Sequence, residues 1–542
     1  MRKARVKVVA GETLDDGGAV ATPACEAVEL PVPQTPDELQ VFLRERFGLT
    51  VPGAGNVPGH SSPMEYLAHT FFEGRFGRGP GDLVLWANRG GGKTFLGAVA
   101  TLLDLMFKPG IEVRILAGSL QQASRMHEHL RTLCEHEVVR ALAPKHTARA
   151  LKLANGSRAE ILAASQTAVR GSRVQKLRCD EVDLFRQEIW AAAQLTTRSM
   201  KLAGPWGEKV AGTVEALSTM HVPMGMMWSI VSDAVPASGP RPETPAKRGA
   251  RVLFRWGVMG VLEKCPPQRP CAGCELWDEC QGAAKGIATT GHISIDDAIA
   301  HKGRIALAQW QAEGLCLRPT RSDAVFPGFS EAHHLYGAAG DDLARAEHQP
   351  GSTLLAGMDF GFRSPTTVIY AVLSDDGVLR VVDATSVSSI TLAEHLLALQ
   401  NKAEVLRRAT GCSGVRFIGV DPAGNQRSAH SGVSSIAALR QAGWVVRARG
   451  QPIASGLEVI RQMLERAESG RGGQAAPMLL IHRRCSVLIE ALHRYHFAAD
   501  RPYDTQPVKD GPDHAVDALR YLVTNMDGVL PGSAAVCKRF IA

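Results

Sequence analysis

The stretch Asp82 to Thr94, DLVLWANRGGGKT, constrains the fold more than any other part of this chain. A short apolar run ends in Gly90, Gly91 and Gly92, which deliver Lys93 and Thr94 to the start of a helical pattern. Strand, glycine turn and helix in that order form a cradle for phosphate. Backbone N–H groups converge on anionic oxygens, and the helix N-terminus adds partial positive charge. Ala87 stands where the strict pattern G-x-x-x-x-G-K-[ST] has its first glycine. Asn88 and Arg89 complete the loop, Lys93 supplies charge, and Thr94 is placed to reach Mg²⁺. The competing reading is a glycine-rich turn with an exposed lysine. Arg89 either meets phosphate charge in a transition state or faces solvent.

Downstream, strand and helix patterns alternate, which points to a mostly parallel sheet with helices on both faces. Strands are expected at Leu83–Trp86, Glu112–Ala117, Ala159–Ala163, Lys176–Cys179 and 209–217, and helices at Thr94–Met106 and Leu120–Cys134. Asp180 and Glu181 close the fourth of these strands, although Lys176 and Arg178 make it weakly apolar. An aspartate organising Mg²⁺ beside a glutamate activating water is what phosphoryl transfer requires. The alternative is a capped turn on a solvated surface. Ser218 and Thr219, at the end of the next strand, are placed to sense a terminal phosphate or are ordinary strand-end polar residues.

At 542 residues the chain exceeds one hydrophobic core, so two large domains are expected. No apolar run reaches the roughly eighteen residues of a membrane span, and the basic N-terminus lacks an apolar signal segment. A net charge of +7 permits a polyanionic partner without demanding one. Residues 1–60 read as an arm and leader helix, the helix capped by Thr35, and residues 234–345 as a linker with an insertion. That insertion holds Cys265, Cys271, Cys274 and Cys280, a grouping that fits a structural Zn²⁺ site or an Fe–S cluster. Chance clustering of buried thiols is the alternative. A helix is expected at Ala298–Glu313.

A second carboxylate-bearing pattern occupies residues 346–526. An apolar segment carries Asp359 into GFRSPTT, a hairpin follows around Asp375-Asp376-Gly377, and a buried strand, Val415–Val420, ends in Asp421. KDGPDHAVDALRYLV closes the region, with Asp513 and Asp517 one helical turn apart and His514 beside them. Singly, each aspartate suits a cap or turn. Together they repel and call for hard divalent cations, the requirement of a two-metal phosphodiester-cleaving site.

A phosphate-loop ATPase core followed by an RNase H-like nuclease in one chain resembles the large terminase subunit of tailed bacteriophages. ANRGGGKT resembles that family's variant phosphate loop, with Arg89 before the glycines. CDE at Cys179–Glu181 resembles its Mg²⁺ and base acids, and LST at Leu217–Thr219 its coupling motif. MDFG, VDPAG and DHAVDALRY are similar to its three nuclease motifs. The resemblance implies an α/β chain with a P-loop ATPase at 61–233, an RNase H-like nuclease at 346–526 and a tail at 527–542. It implies ATP with Mg²⁺ at Thr94 and Asp180, catalysis by Glu181 with Arg89, and coupling by Ser218 and Thr219. It also implies two Mg²⁺ or Mn²⁺ on Asp359, Asp421 and the acids at 513–517, with the choice among Asp513, His514 and Asp517 open. The implied partners are duplex DNA, a procapsid portal protein, a small terminase subunit and further copies in a ring, in the host bacterial cytoplasm. A helicase-like or repair ATPase fused to a resolvase-type nuclease, and a non-catalytic structural DNA-binding subunit, are the rival readings.

Overall fold

A computed structural model describes residues 3–5, 29–77, 79, 81–163, 174–201, 210–237, 251–337, 352–361, 364–375, 377–426, 433–467, 476–498 and 506–526. Cys25, Cys537, Asp376, most of the Pro-rich segment after 234 and the tail 527–542 lie outside them. Two compact units divide the chain, Met1–Pro319 and Thr320–Ala542.

In the first unit, Thr35 caps helix α1 (Pro36–Phe47) by accepting from the Glu38 amide, and Ser62 caps α2 (Pro63–Phe71) with a full capping box. Strand β1 (Leu83–Ala87) leads through the glycine turn into α3 (Lys93–Phe107). Next come β2 (Glu112–Ala117), α4 (Leu120–Leu133), β3 (Arg158–Ala163), β4 (Lys176–Asp180), β5 (Thr213–Ser218) and β6 (Val252–Trp256). The sheet runs Val235–Pro236, β6, β1, β5, β4, β2, β3, then two short antiparallel strands. The first seven are mutually parallel. β5 therefore lies between the glycine-loop strand β1 and the acid strand β4. Residues 252–256, read from sequence as part of a linker, form β6 beside β1. Lys3–Arg5, read as part of an arm, pairs antiparallel with Glu29–Pro31.

Both faces of the sheet are covered, and alternation along each strand sorts the side chains. From β1, Leu83, Leu85 and Ala87 join the core under α1–α4, while Val84 and Trp86 join the opposite core with Trp190, Met227 and Ile230. In β4 the same alternation sends Leu177 and Cys179 to the second core and aims Lys176 and Arg178 under the helices. Both cations are fully buried, which corrects the reading of β4 as a weak strand. Arg178 donates to Asp104 Oδ2 at 2.7 Å and to Glu215 Oε2 at 2.9 Å, and also meets Thr101 and Thr70. Lys176 pairs with Glu73 at 2.9 Å, and Lys108 pairs with both Glu73 and Asp104. Arg178, Lys176 and Lys108 are thus balanced by Asp104, Glu215 and Glu73 in one cluster joining α2, α3, β4 and β5.

The expected helix at 298–313 is interrupted. Ile295–Arg304 is α-helical, a short turn follows at Leu307–Gln309, and Trp310–Gly314 is a wide π-type turn.

The second unit carries a seven-stranded sheet in the order Leu335–Tyr336, β12, β9, β8, β7, β10, β11. Here β7 is Thr353–Asp359, β8 Thr366–Leu373, β9 Leu379–Val387, β10 Val415–Val420, β11 Val446–Arg447 and β12 Leu479–His482. β8 and β9 form the expected hairpin, β7 pairs antiparallel with β8, and β10 and β11 are added parallel to β7, the RNase H-like arrangement. The helix Leu392–Thr410 packs on one face, and Ile453–Leu464, Ser486–Arg494 and Asp513–Thr524 on the other. The last of these lies directly on the strands: a Cβ at Gly357 would collide with the Ala518 carbonyl, and one at Gly419 with the Tyr521 carbonyl. Glycine at those positions brings the helix backbone down onto β7 and β10.

Replacing Arg178 by Met leaves Glu215 without its cation and Asp104 with Lys108 alone, and unfolding of the full chain should show a loss of about 3–5 kcal/mol. Burial alone would raise the Asp104 carboxyl, but Lys108 and Arg178 pull it down to about 2. Its contribution is therefore complete above the ordinary carboxylate range and lost as pH falls towards 2, so acid should narrow the gap between variant and wild type.

Candidate functional site

In the first unit the glycine turn has the backbone that a phosphate cradle needs. Gly90 and Gly92 take φ of 76° and 82°, left-handed values that a side chain disfavours. Gly92 is the cap of α3, so the amides of Lys93 and the following residues open its N-terminus. Ala87 still lies within β1 with its side chain in the core, which is why a methyl group is accommodated there. Trp256 Nε1 donates to the Gly91 carbonyl at 3.0 Å, and His292 Nε2 to that of Gly90 at 2.8 Å. Both residues lie in segments read as linker or insertion, and neither is marked by any local sequence signal. Asn88 is buried and donates to the Arg89 carbonyl. Arg89 is exposed and pairs with Glu313 at 3.4 Å.

Parallel pairing of β1, β5 and β4 sets their C-terminal ends together, and the expected residues meet there. Lys93 Nζ lies 2.9 Å from Thr219 Oγ1 and 3.1 Å from Glu181 Oε1. Thr94 Oγ1 donates to Asp180 Oδ2 at 3.0 Å. Thr219 Oγ1 donates to the Ala87 carbonyl, and Ser218 Oγ approaches Glu181 Oε2 at 3.2 Å. Glu181 leaves the strand with φ 53°, a left-handed conformation of order 1–3 kcal/mol above the extended one. That turn takes its carboxylate off the strand's alternation and towards Lys93.

The two adjacent acids differ in state. Burial, with the charge of Glu181, pushes Asp180 up to about 6. Burial would raise Glu181 too, but the His221 imidazole 3.6 Å away and the charge of Lys93 hold it at about 2. Asp180 Oδ1 is buried without a hydrogen-bond partner. An orphaned carboxylate oxygen beside a threonine hydroxyl, at the mouth of an anion cradle, fits a divalent cation held by Thr94 and Asp180.

In the second unit the crossing helix brings Asp513, His514 and Asp517 to the end of the sheet where Asp359 and Asp421 emerge. His514 Nδ1 and Asp359 Oδ2 are 2.8 Å apart. Burial, together with the charges of Asp517 and Asp421, raises Asp359 to about 6 against the pull of His514. Asp421 accepts from Tyr521 Oη at 2.7 Å, Asp517 from Arg520 at 2.8 Å, and Asp513 from the Gly511 amide at 3.0 Å. Each carboxylate has thus settled on a protein donor. Among the described residues no group of three or more His, Cys, Asp or Glu is placed to hold a metal ion.

The expected two-metal ligand set on Asp359, Asp421, Asp513, His514 and Asp517 is therefore not assembled, and neither is a four-thiolate centre. Cys265, Cys274 and Cys280 pack on the small core of Leu262, Leu276, Ile287 and Trp310 instead. The Cys280 sulfur accepts from the Ala284 amide at 3.5 Å.

Asp180→Asn removes a buried charge, and in the absence of nucleotide and divalent cation should stabilise the full chain by about 1–3 kcal/mol near neutral pH. The folded carboxyl titrates above the unfolded one, so the gain is complete above about pH 6 and vanishes below the ordinary carboxylate range. Thermal unfolding across that pH window checks it.

No family model matches the chain, and no curated protein matches it. Among solved structures it is similar to the HK97 bacteriophage large terminase, 14% identical over 90% of this chain and 99% of that one, with a TM-score of 0.37. It is similar to the large terminase of a thermophilic bacteriophage, 16% identical over 86% and 98%, with a TM-score of 0.32. The P22 large terminase nuclease domain is 17% identical over 40% of this chain and 94% of that one, with a TM-score of 0.28. At these distances the likeness assigns no residue a role.

Proposed function

We propose that this chain is a viral DNA-packaging motor subunit that hydrolyses ATP to drive duplex DNA into a procapsid and cuts that DNA with its second unit. The observation that carries the reading is the convergence of Lys93, Thr94, Asp180, Glu181 and Thr219 around the glycine turn.

The amides of the turn and Lys93 bind the phosphate chain, and the helix N-terminus favours its charge. Thr94 and Asp180 would hold Mg²⁺, which neutralises charge on the phosphates. In the structure Lys93 engages Glu181. A phosphate competing for Lys93 releases the carboxylate, and losing that cation makes Glu181 more basic at the moment it must orient and deprotonate water. Thr219, bonded to both Lys93 and the end of β1, feels the same change and passes it to β5. Arg89, exposed in the loop, has a side chain that among the described residues pairs only with Glu313 at 3.4 Å and can swing to phosphate charge.

DNA cleavage we place at the Asp359 end of the second sheet, with Asp421, Asp513, His514 and Asp517. Their carboxylate chemistry suits Mg²⁺ or Mn²⁺, but their positions form no ligand group, so no metal-borne step is derived. Duplex DNA would be gripped mainly through phosphates, making binding salt-dependent. A portal protein, a small subunit and further copies of this chain in a ring are the partners such a motor requires.

Two variants of the full chain test the division of labour. Lys93→Ala should lower ATP turnover roughly a hundred- to thousand-fold while leaving divalent-cation-dependent DNA cutting intact. Asp359→Ala should do the reverse. Cleavage surviving Asp359→Ala removes the nuclease assignment, and turnover surviving Lys93→Ala removes the ATPase assignment.

A further inference from the structure

Glu181 presents two carboxylate oxygens to different partners. Oε1 faces Lys93, whereas Oε2 lies 3.2 Å from Ser218 Oγ and 3.6 Å from His221 Nε2. His221 follows the strand-end pair Ser218-Thr219 in a loop held by Asp183 and, further on, by Arg318, which donates to the Pro223 carbonyl at 3.0 Å. Asp183 Oδ2 accepts the amides of His221 at 2.8 Å and Val222 at 3.2 Å, and Oδ1 accepts that of Met227 at 2.8 Å. The Asp183 amide in turn donates to Ser218 Oγ at 3.3 Å. Asp183 sits in the turn immediately after Glu181, so its hydrogen bonds tether the loop bearing His221 to the strand end bearing Glu181. Gly225 lets the loop close around this carboxylate: a Cβ there would stand 2.6 Å from Asp183 Oδ1.

We propose that His221 is a positioning residue for ATP hydrolysis, holding Glu181 Oε2 so that Oε1 alone is presented to the attacking water once phosphate has taken Lys93. The inference rests on the ATPase reading above. Without a second holder, the carboxylate that loses Lys93 would rotate freely or follow the lysine towards the phosphates, where like charge opposes it. Ser218 provides one neutral hydrogen bond to Oε2. His221 adds a donor fixed at its backbone by Asp183, and Asp183 and Glu313 are the further carboxylates whose charge reaches its ring. An orienting contact of this kind acts on the rate of the chemical step and not on nucleotide affinity, because among the described residues no hydrogen bond or ion pair joins His221 or Asp183 to the glycine turn.

Steady-state ATP hydrolysis by the full chain tests it, with wild type, Lys93→Ala, His221→Ala, His221→Gln and Gly225→Ala compared under saturating Mg²⁺. His221→Ala should lower kcat about ten- to hundred-fold with KM for ATP unchanged. His221→Gln, which keeps a donor on the same backbone anchor, should recover most of the rate. Gly225→Ala, which crowds Asp183, should reproduce the kcat loss. An unchanged kcat in His221→Ala, a loss confined to KM, or no recovery with Gln overturns the proposal. Should His221→Ala fail to fold, the Gln and Gly225→Ala arms decide it by the same criteria. Turnover abolished by Lys93→Ala but indifferent to position 221 removes this inference and leaves the ATPase reading standing. Turnover indifferent to Lys93→Ala removes the reading itself.

Discussion

Two carboxylates adjacent in sequence, at the end of one buried strand, cannot share an environment, and the first unit is organised around keeping theirs apart. Asp180 points under the helices beside Thr94, with one oxygen unpartnered and its carboxyl pushed up to about 6. Glu181 turns away through a left-handed backbone into the company of His221, Lys93 and Ser218, and stays ionised down to about 2. One site therefore lacks a cation and the other already has one. That asymmetry is what the proposed roles need, a metal-holding Asp180 and a water-activating Glu181, and it arises without any difference in residue chemistry beyond a methylene.

The strand that carries this pair is anchored in an unusual way. Its helix-facing positions are Lys176, Arg178 and Asp180, where a buried parallel strand would ordinarily place aliphatic residues. Burying guanidinium and ammonium groups is costly unless every donor is met. Here Asp104 from α3, Glu215 from β5, and Glu73 and Thr70 from α2 and its end meet them. The cluster joins the helix that opens at Lys93 to the strands that end in Glu181 and Ser218. A directional network of this kind specifies one register of helix on sheet, which aliphatic packing would leave less sharply defined.

Much of this was legible in the sequence because its signals are local. The glycine turn, the strand ends at Asp180, Ser218, Asp359 and Asp421, and the capped helix starts follow from turn chemistry and from periods of two and 3.6. The misreadings share one cause, partners distant along the chain. Arg178 and Lys176 looked like interruptions because Asp104, Glu215 and Glu73 lie far from them in sequence. Residues 252–256 looked like linker because their pairing partner is β1. The wide turn at Trp310–Gly314 is the exception, a local close approach in which a Cβ on Gly314 would strike the Trp310 ring. His221, His292 and Tyr521 carry no spacing signature, and only the folded chain shows what they touch. In the second unit the acids were visible one by one. Their pairing with Tyr521 and Arg520 was not, because it depends on how closely Gly357 and Gly419 admit the last helix.

The account stands most directly on Glu181 acting as the base while the nucleotide is held by other groups. Binding and turnover of ATP with Mg²⁺, measured side by side for the full chain and for Glu181→Gln, separate those roles. The expected result is a variant that binds the nucleotide at least as tightly as wild type and hydrolyses it about a hundred-fold more slowly or worse. A variant that hydrolyses ATP at the wild-type rate would contradict the account.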